Sequence, residues 1–96
     1  MKPIKILTKK RNEILELARL HGATLIRVFG SVARGEANSK SDIDFLVQME
    51  PGRTLLDMGG LLMDLQHTLG RPVDVVTEKG LKGRIRERVL QEAVPL

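Results

Sequence analysis

Apolar and polar positions alternate along this chain in two rhythms, one of helices and one of strands. From Thr8 to His21 the residues Ile14, Leu15, Leu17, Ala18 and Leu20 line one side of a predicted helix, and Gly22 is available to stop it. Leu25-Ile26-Arg27-Val28-Phe29 is branched and aromatic, bounded by Gly22 and Gly30, and reads as a strand feeding a tight turn. Phe45-Leu46-Val47 reads as a second strand, and Pro72-Val73-Asp74-Val75-Val76 as a third, short and buried. Thr54 to Leu69 reads as a helix that opens at Thr54 and Asp57 and stops at Gly70. A last helix is expected over Leu81 to Val94, with Ile85, Val89 and Ala93 at helical spacing.

The central helix departs from a simple amphipathic pattern. Leu55, Leu56, Met58, Leu61, Leu62, Met63, Leu65 and Leu69 encircle more of it than one core-facing stripe requires. Either the helix is sandwiched in the core or part of it meets another subunit, and a domain this small has little core to surround a helix. Gly59-Gly60 in its interior costs about 1 kcal/mol per glycine relative to alanine, which calls for close packing or a bend.

Ninety-six residues predict one domain spanning 1–96. A hydrophobic content of 42% with 29% charged residues is ordinary for a soluble fold. The absence of cysteine excludes disulfides and zinc-thiolate sites. No apolar run approaches a membrane span and the N-terminus lacks a signal-peptide pattern, so a cytoplasmic protein is expected. The formal charge of +4 suits a nucleotide or nucleic acid, yet two phenylalanines without tryptophan or tyrosine leave little for base stacking. General nucleic-acid binding is therefore not expected. Lys79, Lys82, Arg84, Arg86 and Arg88 form either a solvated face or a dock for an acidic partner or RNA. His21 and His67 have no second histidine at ligand spacing and receive no role.

The chemistry concentrates between Gly30 and Asp44. In a strand, residues two apart share a face, so Asp42 and Asp44 project together while Ile43 faces away. Two adjacent carboxylates repel unless a cation separates them, and magnesium is commonly held by one or two carboxylates plus substrate phosphates. A two-metal site requires a third acid, which Asp74 can supply from its apolar run. Alone, Asp74 reads as an edge-strand residue facing water. Beside Asp42 and Asp44 it reads as the third ligand. Ser41-Asp42-Ile43-Asp44 could also be a mere turn, but the strand that follows argues against this.

Gly30 permits close backbone approach, and a helical turn from Ser31 through Arg34 would aim its N–H groups and the Ser31 hydroxyl at an anion. The plain alternative is a serine N-cap after a glycine turn. Arg34 could meet a triphosphate or remain a solvated loop residue.

Gly30-Ser31, Ala33-Arg34-Gly35, Ser41-Asp42-Ile43-Asp44 and Asp74 together resemble the signature of the DNA polymerase β-like nucleotidyltransferase superfamily. The form it resembles is the compact minimal nucleotidyltransferase (MNT) domain, of the MntA-type antitoxins of HEPN/MNT toxin-antitoxin pairs. The resemblance implies an α/β (α+β) nucleotidyltransferase fold, a small mixed β-sheet flanked by about four helices. It further implies two Mg2+ ions and ATP or another nucleoside triphosphate, with nucleoside monophosphate moved to an acceptor hydroxyl and pyrophosphate released. Carried across, Asp42, Asp44 and Asp74 are the metal ligands and catalytic acids, and Gly30, Ser31, Arg34 and Ser41 lie on the nucleotide side. Polymerising and antibiotic-modifying relatives carry further acceptor-binding domains, and none is expected within these 96 residues.

The function expected from the resemblance is magnesium-dependent transfer of AMP to a hydroxyl of a partner protein, an HEPN toxin. The alternative is a non-catalytic antitoxin or adaptor that neutralises its partner by complex formation, and on either reading a homo-oligomer or a heteromeric complex is open.

Overall fold

The computed structural model describes residues 3–96. Helices α1 (Pro3–Lys9) and α2 (Arg11–Leu20) lead into strand β1 (Ala23–Phe29), which is followed by β2 (Ile43–Met49). Helix α3 (Leu55–Leu69), strand β3 (Val73–Thr77), a 3-10 turn (Glu78–Gly80), helix α4 (Gly83–Glu92) and a two-residue strand β4 (Val94–Pro95) complete it. The sheet runs β3-β2-β1-β4, with β1 antiparallel to β2 and β4, and β2 parallel to β3. It is a mixed four-stranded sheet with four helices among the described residues, the α/β architecture expected.

The expected first helix is in fact two. Lys10 leaves helical geometry at φ −106°, ψ 17°, and its Nζ donates to the Thr68 carbonyl at 2.6 Å at the end of α3. A side chain committed to another helix thus coincides with the break, and Thr8 falls in α1 rather than opening α2. Gly22 at φ +83° follows α2 as anticipated.

Strand alternation decides what each face of the sheet carries. Ile26 and Val28 of β1 and Ile43, Phe45 and Val47 of β2 point to one face, where Ile14 and Ala18 of α2 and Leu61, Leu65 and Leu69 of α3 close over them. Phe45, Ile14, Ile43, Leu61 and Leu65 are wholly buried in this layer. The intervening residues face the other side. There Leu46 is also fully buried and Val89 of α4 is buried, and both lie outside the main cluster. With α1 to α3 on the first face, the segment from Glu78 through α4 is what remains to cover the second.

The central helix is not sandwiched. Its first turn is fixed by Thr54, whose Oγ1 accepts from the Leu56 N–H at 3.1 Å and whose N–H donates to Asp57 at 2.8 Å. Leu61, Leu65 and Leu69 face the core, whereas Leu56 is 87% and Met63 69% exposed. Its two glycines have different reasons. A Cβ on Gly60 would lie 2.8 Å from the His21 ring, which is hydrogen-bonded through Nε2 to Asp64 at 2.6 Å, so Gly60 makes room for His21. Nothing lies within 4 Å of a Cβ at Gly59, and nothing in the structure explains that glycine. In α4, Val89 faces inward, but Ile85 is exposed and Ala93 lies past the helix end.

Candidate active site

Because β1 runs antiparallel to β2 and β2 parallel to β3, one end of the sheet gathers the end of β1 with the beginnings of β2 and β3. Phe29 pairs with Asp44, and Asp44 pairs with Asp74. Paired residues on neighbouring strands share a face, so Asp44 and Asp74 stand side by side opposite the core, while Asp42 sits one residue before β2. Asp74 is both things considered for it: exposed on the edge strand, and next to Asp44.

The electrostatics register this convergence. Burial pushes the Asp44 carboxyl above the usual aspartate range, and the charges of Asp74, Asp42 and Glu92 push it further, against only partial relief from Arg34. Of the other nine acids, all within the described residues, seven are paired and only Glu13 and Glu87, both on helix surfaces, are not. Glu16, Glu36, Glu50, Asp57, Asp64, Glu78 and Glu92 each face an arginine or a histidine. Among the described residues, Asp42, Asp44 and Asp74 have no ion-pair partner and accept no hydrogen bond. A basic chain that leaves its three clustered aspartates without an ion pair, and with only partial relief from Arg34, has kept a negative pocket open.

Gly30 is shaped to that pocket. It adopts φ +74°, and a Cβ there would fall 2.3 Å from Asp44 Oδ2, so the Asp44 carboxylate rests where any side chain would be. The turn that follows is closed by Arg34 N–H to the Gly30 carbonyl at 3.1 Å and Glu36 N–H to the Ser31 carbonyl at 2.9 Å. Among the described residues no acceptor meets the N–H groups of Ser31, Val32 and Ala33, the arrangement that suits an anion. The Gly30 N–H is engaged, donating to Glu92 Oε1 at 2.8 Å. Arg34 donates through Nε to Glu36 at 2.5 Å and through Nη1 to both Glu92 oxygens at 3.2 Å. The Ser41 hydroxyl structures the loop, accepting from the Asn38 N–H at 3.0 Å.

The pocket's donor set is hard oxygen on a partly desolvated strand end, which suits a divalent cation bridging to phosphate. Among the described residues, however, no three acidic or imidazole groups already converge as a closed cage. Asp42, Asp44 and Asp74 would hold an ion as an open set that substrate phosphates complete. Sequence reasoning missed Glu92, three residues after the buried Val89 and therefore on the same inward face of α4. That spacing was the available signal. It was obscured by the basic residues around it.

Residues 7–96 match the family model of the nucleotidyltransferase domain. The chain is 42% identical over 89 residues to the protein adenylyltransferase MntA of Thermococcus cleftensis, covering 93% of this chain and 87% of that protein. It is similar to the solved structure of a candidate minimal nucleotidyltransferase at a TM-score of 0.85 and 53% identity, covering 96% of this chain and 94% of the other. It is also similar, at a TM-score of 0.74 and 26% identity, to a toxin-antitoxin crystal structure with AMP-PNP, covering 88% of this chain and 69% of that one.

Proposed function

The chain belongs to the nucleotidyltransferase domain family and is a transferase, and on that premise we propose that it is a magnesium-dependent protein adenylyltransferase. Its substrate would be ATP, its acceptor a hydroxyl of a partner protein, and that partner an HEPN toxin which the transfer silences. The observation that carries the reading is the trio Asp42, Asp44 and Asp74, uncompensated among the described residues and set against a glycine that admits a carboxylate in place of its own side chain. The adenylyltransferase name of the Thermococcus relative and the AMP-PNP in the toxin-antitoxin neighbour support the choice of nucleotide and of a protein acceptor.

In this mechanism the chain contributes position and charge rather than covalent chemistry. The N–H groups of Ser31, Val32 and Ala33 and the Arg34 guanidinium receive the triphosphate. Asp42 and Asp44 would hold the magnesium, with Asp74 completing the set, and the ion when bound would neutralise charge on the phosphates and the leaving pyrophosphate. The exposed Asp74 faces the approach of the acceptor. The acceptor oxygen forms a bond to the α-phosphorus as the bond from that phosphorus to the α,β-bridging oxygen breaks. Asp74 takes the hydroxyl proton and the bridging electron pair leaves with pyrophosphate, so the step balances without another reactant.

Intact mass spectrometry of the partner encoded beside this chain, co-expressed with it, tests the reading. The expected result is a covalent increment of one adenylate that disappears when Asp42 and Asp44 are both Asn. An inhibited partner of unchanged mass would contradict it and favour neutralisation by complex formation, for which the bare apolar face of α3 at Leu56 and Met63 would serve.

A further inference from the structure

We propose that Glu92 is a positioning residue of the nucleotide site, clamping the glycine turn and Arg34 so that the arginine meets the triphosphate ready-oriented. The proposal deepens the nucleotidyltransferase reading and rests on it. Glu92 is far from the turn in sequence, yet it reaches both ends of it. One carboxylate oxygen accepts from the Gly30 N–H at 2.8 Å, and both accept from Arg34 Nη1 at 3.2 Å. The Glu92 side chain is 18% exposed and that of Arg34 37%, so the carboxylate is sheltered while the guanidinium stays open to a ligand from solvent.

Two consequences follow from the geometry. First, Gly30 is the residue against which the Asp44 carboxylate lies, so whatever holds Gly30 also sets the wall of the acidic pocket. Second, Arg34 is gripped at two corners of its guanidinium, Nε by Glu36 and Nη1 by Glu92, while Nη2 takes no protein partner among the described residues. An arginine free in solvent loses rotamer freedom on meeting a ligand, and one already clamped loses little. The carboxylate orients the guanidinium without covering the corner turned toward the turn's ligand. A like charge close to Asp44 would be costly in a site meant only for stability, and Glu92 does raise the carboxyl of Asp44. Its place there fits a site that receives cations.

The test uses the full chain with Glu92→Gln, Arg34→Gln and the double variant, read by calorimetric titration with ATP and magnesium, by steady-state kinetics, and by the Gly30 amide resonance without nucleotide. Glu92→Gln is expected to weaken MgATP binding and raise KM about tenfold, with kcat changed less than about threefold. The double variant should lose clearly less than the sum of the two single losses, because Arg34 and Glu92 act in part as one unit, with the Gly30 contact accounting for what remains. The Gly30 amide should exchange faster with solvent in Glu92→Gln than in the parent. Unchanged MgATP affinity alongside a lowered Tm would overturn the proposal and leave Glu92 a structural tie. Strictly additive losses would also overturn it. Should Glu92→Gln not fold, Arg34→Lys provides the second route: it keeps the charge but loses the clamped fork, and parent-like affinity in it would equally overturn the proposal. A parent chain that takes up no MgATP would instead bring down the underlying reading, a different and distinguishable failure.

Discussion

The two faces of the sheet are built from alternate residues of the same strands, and they obey opposite rules. On one, Ile43, Phe45 and Val47 disappear beneath α2 and α3, with no charged group among them. On the other, one residue out of step, Asp44 sits half-buried beside Asp74, its charge raised in energy by its neighbours. The first face is what folding optimises. The second gives up stability to keep a polyanion-repelling pocket that only a cation makes agreeable to phosphate. A shift of one residue in register would exchange the two, so strand period and catalytic placement are the same constraint.

The sharpest break of this contrast is Asp44→Asn. It should lower nucleotidyl transfer by about 10³-fold or more, roughly 4 kcal/mol of barrier, with the circular dichroism spectrum unchanged. Parent-like turnover by that variant would show the acids to be bystanders. On the opposite face, Phe45→Ala should cost about 3–5 kcal/mol of stability in urea unfolding, enough to unfold much of a chain this small.

The pH dependence of stability separates the faces further. A carboxyl whose folded pKa lies above its unfolded value binds its proton more tightly when folded. Stability is therefore lost as pH rises from the ordinary aspartate range through the raised folded value. In the absence of divalent cations, Asp44→Asn should raise Tm at neutral pH, and the gain should shrink toward nothing as pH falls below about 4. A neutral-pH Tm below that of the parent would mean that Asp44 is held by favourable contacts, contrary to this account.

The smallest effects concern the paired glycines of α3. Gly59→Ala should stabilise by about 1 kcal/mol, since the helix gains propensity and the new methyl meets nothing. Gly60→Ala should forfeit that gain, because the methyl would meet the His21 ring. Equal Tm shifts from the two would show that His21 moves aside freely.

Much of this was legible beforehand, for identifiable reasons. The strands, and the shared facing of Asp42 and Asp44, follow from period-two alternation and turn residues, which act locally, whereas the meeting of Asp44 with Asp74 comes from the parallel pairing of β2 with β3. Three features did not show. The break at Lys10 coincides with a hydrogen bond to Thr68, a partner remote in sequence. Gly60 answers to His21, which caps the end of α2. Glu92 enters the site from the end of a helix whose charge pattern suggested a solvated face or a dock for an acidic partner or RNA, and its partners Gly30 and Arg34 are more than fifty residues away. What sequence periodicity conveys is facing, and what it withholds is which faces meet. The exposed Leu56 and Met63 illustrate the same point, since their excess over a single stripe was visible and the surface they form needed the fold.

Calorimetric titration of the chain with ATP, with and without magnesium, tests the central claim most directly, run in parallel on Asp42→Asn/Asp44→Asn. Saturable uptake that needs magnesium and vanishes in the double variant is the predicted result. Uptake of equal strength without the metal, or undiminished in the variant, would contradict the assignment of these aspartates to a metal-held nucleotide.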